Sequence, residues 1–144
     1  MKTAIGGVVG AAIFAMTAFP ALPAQAADLR LSLQSRGSGG SLAIAVYANA
    51  ADFRASRNPV ATRVVPASGG TTSVTLTGLA PGRYAVAAFH DADGNGELTL
   101  WPIGLPKEAY GFSRDARGRF GPPAFDAAAF DLPASGATQG LALR

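Results

Sequence analysis

The chain has 144 residues, with twelve lysines and arginines against nine acids, one histidine and no cysteine, for a formal charge of +3. The missing cysteine excludes disulfides and thiolate metal sites, and the single histidine excludes a three-histidine zinc site. A surplus of only three positive charges is not the basic patch that nucleic acid requires, so nucleic acid is excluded as a partner.

The first residues, "MKTAIGGVVGAAIFAMTAFPALPAQAADLR", place Lys2 before an apolar run and end on a small-x-small site at Ala24 and Ala26. That layout predicts a signal peptide over residues 1–26, cut before Ala27. With Pro20 and Pro23 near its end, the run reads as cleaved and not as an anchor. With no cysteine to carry lipid, no membrane anchor remains after cleavage. Residues 27–144 are then one domain, periplasmic or secreted.

In that domain the apolar period is two. "LRLSLQS" alternates Leu29, Leu31 and Leu33 with polar neighbours, and "GSGG" reads as a turn before "SLAIAVYAN". "VATRVV" and "TTSVTLTG" are two further strands, with Pro66 and "SGG" between them. Ala80-Pro81-Gly82-Arg83 fits a type II turn. The strand after it is apolar on both faces, Tyr84, Val86, Ala88 and His90 against Ala85, Ala87 and Phe89, which predicts a central strand. From Trp101 the period is lost, and a long irregular loop follows with Trp101, Ile103, Leu105, Tyr110, Phe112 and Phe120 as its internal packing. "AFDAAAFDL" and "QGLALR" close the chain as strands. The expected fold is all-β, a single antiparallel β-sandwich of about seven strands with a prealbumin-like or immunoglobulin-like layout.

The polar residues look arranged in one place only, "FHDADGNGEL". Aligned on an EF-hand calcium loop, Asp91 takes position 1, Asp93 position 3, Asn95 position 5, Gly96 position 6 and Glu97 position 7, where the ligand is a backbone carbonyl. Position 12, which should be a bidentate glutamate, is Pro102, and a strand precedes the loop where a helix would stand. A distant oxygen donor, Glu108 or Asp115, would have to close the shell. Such a site predicts weak Ca2+ binding, on the order of 10⁻⁴ to 10⁻³ M. The competing reading is a metal-free turn, since Asp, Asn and Gly are also the residues that turns select.

For catalysis the sequence offers little. "GFSRD" falls short of a nucleophile elbow, so His90 reads as a strand-end residue bonding a loop carbonyl. Arg114, Arg117 and Arg119 read as a solvated loop tip, the alternative being an anionic ligand.

The stretch 81–132 resembles exported bacterial proteins grouped as domain of unknown function 2141. The likeness is carried by His90-Asp91, the "DGNG" loop, Gly104, Pro106 and Glu108 in a Gly-x-Pro-x-Glu-x-Tyr-Gly-Phe-Ser pattern through Ser113, and Gly121-Pro122-Pro123. The resemblance implies a secreted or periplasmic β-sandwich and supplies no activity. Thr99 departs from it, standing where relatives often carry an aspartate. The expectation is a non-enzymatic exported module with a calcium loop of Asp91, Asp93, Asn95, Glu97 and Glu108 and a glycan or protein ligand of the envelope or exterior. The alternatives are a metal-free structural envelope protein and a small hydrolase using His90 and Glu108.

Overall fold

The computed structural model describes Pro20 and residues 24–144; the expected signal segment lies, but for Pro20 and residues 24–26, outside the described residues. The elements are β1 (Ala27–Tyr47), α1 (Ala50–Ala55), β2 (Ala61–Leu79), β3 (Gly82–Asp91), β4 (Tyr110–Phe112), a 3-10 turn (Ser113–Asp115), α2 (Phe125–Ala128), β5 (Phe130–Leu132) and β6 (Ala137–Ala142). The protein is all-β, as expected, but its six strands form one connected sheet, with the path β2-β1-β3-β4, β5 beside β3 and β6 beside β1. All pairings are antiparallel except that of β6 with β1, which is parallel.

The difference in strand number has a local cause. "GSGG" is not a turn but a bulge inside β1, and "SGG" is its counterpart inside β2. Gly39, Gly40, Gly69 and Gly70 all have positive φ, which lets the chain bend without breaking the ladder. The pairing slips twice there, from Ser35↔Gly70 through Ser38↔Ser68 to Ser41↔Pro66. Across the bulge the buried set switches from odd numbers (Leu29, Leu31, Leu33) to even ones (Leu42, Ile44, Val46), and all six join the same core cluster. Four expected strands are therefore two long ones.

That cluster draws its members from strands and the residues flanking them, yet Leu29, Leu33, Leu42 and Val46 are 0% exposed. A sheet face with no covering layer can bury side chains so completely only by curling over itself. The ends of the curl meet where β4 passes the chain end after β6. Tyr110 N–H donates to Arg144 O at 3.1 Å and Arg144 N–H to Tyr110 O at 3.0 Å. One residue pair bridges the gap, and no closed barrel forms.

On its other face β3 presents Ala85 and Ala87, small enough for α1 and α2 to settle close. Phe53 of α1 is the centre of this second cluster, edge-on to Tyr47, Phe112 and Phe125 at 5.6, 5.7 and 5.9 Å. Asn49 caps α1, its side chain accepting the Asp52 N–H at 2.9 Å. β3 is thus apolar on both faces because both are covered. "AFDAAAFDL", expected as a strand, divides instead into the single turn of α2 and the short β5.

Gly111 sits where β4 and β6 approach. A Cβ there would lie 2.5 Å from the Ala142 carbonyl oxygen, so the strands would have to separate. Gly111→Ala is expected to destabilise the fold by about 1–3 kcal/mol, as overpacked sites do, read as a lower urea midpoint; an unchanged midpoint would show that the two strands are not in close contact.

Candidate metal centre

β3 delivers His90 and Asp91 to the mouth of the β1 bulge, where Leu42 pairs with His90 and Ser41 with Asp91. The imidazole lies over Gly37, whose Cβ would come within 2.6 Å of the ring, and its Nε2 lies 2.6 Å from Gly39 O. A carbonyl only accepts, so Nε2 carries the proton. Gly40 touches the backbone of Asp91 and Ala92, where any Cβ would collide. The glycines of the bulge are a seat for the root of the acidic loop.

From this seat the Asp91 carboxylate, 5% exposed, gathers the turn around itself. Oδ1 accepts the N–H of Gly94 at 2.9 Å and of Asn95 at 3.2 Å, and Oδ2 accepts that of Gly96 at 2.8 Å. Asp93 accepts the Asn95 N–H and the Thr99 hydroxyl, while Asn95 Oδ1 accepts the Glu97 N–H. Glu108 closes the loop from its far end: Oε1 accepts the Ala92 N–H and Oε2 the Thr99 N–H, both at 3.0 Å. Thr99, which also accepts the Asn95 side-chain N–H, is the hub where turn and closing strand meet. Beyond it the loop is a small hairpin, tied by Lys107 N–H to Thr99 O, Trp101 N–H to Leu105 O and a bridge between Leu100 and Pro106.

Carboxylate oxygens of Asp91, Asp93 and Glu108 lie within 4.8 Å of one another. The ion pairs among the described residues are Arg83–Asp126, Arg117–Asp115 and Arg144–Asp115, so no basic side chain offsets these three acids; backbone N–H dipoles do. The donor set is all hard oxygen, the kind that suits hard divalent cations such as Ca2+, Mg2+ or Mn2+. Two oxygens bound to one calcium at 2.3–2.6 Å stand at most about 5.2 Å apart, so the observed spread is within reach of a single ion.

Of the five residues expected at the site, Asp91, Asp93 and Glu108 come together. Asn95 lies in the same turn, with its oxygen on the Glu97 N–H. Glu97, expected to offer its backbone carbonyl, follows Asn95 in the same turn, and its carboxylate is not one of the three that meet. Asp115, the other candidate for the distant donor, pairs with Arg117 and Arg144. Ser113 is fully buried, donates to Ala128 O at 2.6 Å and accepts the Val86 N–H at 2.9 Å, so its hydroxyl, like the His90 Nε2, is occupied by backbone. Arg114 caps the Ala129 carbonyl.

The packing expected inside the long loop is not there. Trp101, Ile103 and Leu105 are exposed because the hairpin stands out from its polar root, and Phe120, in the segment after the 3-10 turn, is exposed as well. Only Tyr110 and Phe112, in β4, pack as expected, edge-on to each other at 5.8 Å. What the sequence reading missed is the seat made by Gly37, Gly39 and Gly40. The parity switch from Leu33 to Leu42 was the available signal that "GSGG" continues a strand.

Two outcomes follow from the loop's bonding. Glu108→Ala leaves the Ala92 and Thr99 N–H groups to water and is expected to lower unfolding free energy by about 1–2 kcal/mol; urea unfolding at the parent's midpoint would show that Glu108 does not close the loop. Secondly, the Asn95 N–H above all holds the Asp93 carboxyl below the ordinary carboxylate range; desolvation opposes it, and the Thr99 hydroxyl adds a smaller lowering effect. A depressed folded pKa stabilises above the unfolded value, about 3.9, and that stability is lost as pH falls through the folded value. The Asp93 side-chain carboxyl carbon resonance is expected to titrate with a midpoint below pH ~3.9; a midpoint above that value would contradict the assignment.

No curated protein and no solved structure matches the chain significantly. The family described as "Uncharacterized protein conserved in bacteria (DUF2141)" matches residues 34–139, well over half of the sequence and the whole of the acidic loop, and the chain belongs to that family.

Proposed function

We propose that this protein is an exported, non-catalytic β-module, periplasmic or secreted, whose 92–109 loop is closed by a calcium ion and serves to engage a ligand of the cell envelope or exterior. The observation that carries the reading is the meeting of Asp91, Asp93 and Glu108, from the two ends of one loop, with oxygens within 4.8 Å and no basic side chain among the ion pairs to balance them. Calcium takes six to eight oxygens. Three carboxylates with Asn95 Oδ1 or the Thr99 hydroxyl supply part of that shell, and water completes it. An incomplete protein shell on an exposed loop means weak binding, on the order of 10⁻⁴ to 10⁻³ M, a range suited to proteins outside the cytoplasm. Export is supported by the charged, apolar and small-residue order of residues 1–26. The non-catalytic reading is supported by the His90 Nε2 and the Ser113 hydroxyl, which both bond to backbone.

One observation favours a second reading, a metal-free structural module: the same carboxylates already accept N–H and hydroxyl donors. A thermal melt of residues 27–144 in chelator and in calcium separates the two. At about 100 times the dissociation constant an ion adds about 2.7 kcal/mol to the folded state, a rise in midpoint of roughly 10 °C for a domain of this size. The calcium reading expects that rise and its loss in Asp93→Ala. An unchanged midpoint in about 10 mM calcium would leave the loop as a metal-free turn.

A further inference from the structure

The hairpin tip, residues 99–107, is the most apolar exposed segment described. Leu100, Trp101, Ile103 and Leu105 are 51, 52, 78 and 56% exposed, and the tip lines neither of the two cavities described, near Arg36 and near Arg117. It is a projection, not a groove. Its chemistry is graded along its length. Ile103, at the apex between Pro102 and Gly104, is the most exposed of the four, and Trp101 stands two residues before it. Behind them the Lys107 ammonium rests 4.6 Å from the centre of the Trp101 ring. The acids belong to the root, where Asp91 and Glu108 bind backbone N–H groups. The tip itself carries one formal charge, and it is positive.

An aliphatic apex, an indole at its flank and a lysine one step back is the order in which a bilayer is layered: acyl chains, then the interface, then phosphate. We propose that the tip docks on a phospholipid surface, with Ile103 and Leu105 entering the acyl boundary, Trp101 at the headgroup level and Lys107 on phosphate oxygens. The hairpin is already tied by its own backbone bonds, so little ordering opposes entry. Contact of this kind is peripheral: the tip enters one leaflet and does not cross it. It takes from the proposed function only that the module meets an envelope; the ion plays no part in it.

Trp101 is the only tryptophan, so its emission reports the tip directly. The protein is titrated, in chelator, with vesicles of phosphatidylethanolamine and phosphatidylglycerol. The expected result is a blue shift with protection from acrylamide, a partition coefficient about tenfold lower or less in Ile103→Asp, and a smaller loss in Lys107→Gln that disappears at high salt. Ile103 is exposed, so Ile103→Asp should keep the parent's urea midpoint, and that is measured alongside. No shift at any lipid concentration overturns the proposal, as does equal partition of Ile103→Asp. A blue shift that grows with protein concentration and needs no lipid also overturns it, in favour of a second copy of the chain as the occupant. A calcium-dependent melt with no vesicle binding would sink this inference and leave the ion reading standing.

Discussion

The contact between the β1 bulge and the end of β3 is the constraint on which the rest of the structure depends. Gly37 leaves room for the His90 ring, Gly39 accepts its proton, and Gly40 lies against the backbone of Asp91 and Ala92. The same bulge bends β1 and β2 together and moves the apolar positions from odd to even numbers, so that both halves of each strand face one core. A single local feature therefore curls the sheet and seats the loop. A bulge is suited to this because it bends a strand while keeping the ladder on either side.

Burial of Asp91 follows from that seat, and the turn follows from Asp91. A carboxylate taken from water needs hydrogen-bond donors, and the nearest are the N–H groups of the next few residues. They can reach it because Gly94 and Gly96 take positive φ. Glu108 performs the matching task at the other end of the loop. The arrangement that folds the loop also brings three carboxylates together without a basic partner, so the atoms that close the loop are the ones that stand within reach of a single ion.

The sequence made the core legible where period was strong. Leu29, Leu31 and Leu33, the even set from Leu42, Tyr84, Val86 and Ala88 of β3 and the final Leu141 and Leu143 are all buried as their spacing requires, while Ala87 and Phe89 on the other face of β3 are half-buried. Glu108 was legible as a distant oxygen donor only because Pro102 spoiled the local one. Continuity of β1 and β2 was not legible, since glycine-rich segments specify turns and bulges alike and long-range pairing decides between them. Nor was exposure of the loop's apolar residues: a run of Trp, Ile and Leu between prolines has no period, and whether it packs inward depends on the polar root. The parallel β6 beside β1 is fixed by the core that Leu141 and Leu143 complete, which no short window shows.

The glycine seat, acting through Asp91, orders the acidic turn. Amide hydrogen exchange at Gly94 and Gly96 in the parent and in Gly40→Ala, each normalised to core amides of β3 such as Val86, tests it most directly. The account predicts that the two turn amides lose protection in the variant by more than the core does, because displacing Asp91 removes their acceptor. Turn amides that keep their protection relative to Val86 would contradict it and show that the loop orders itself without the seat.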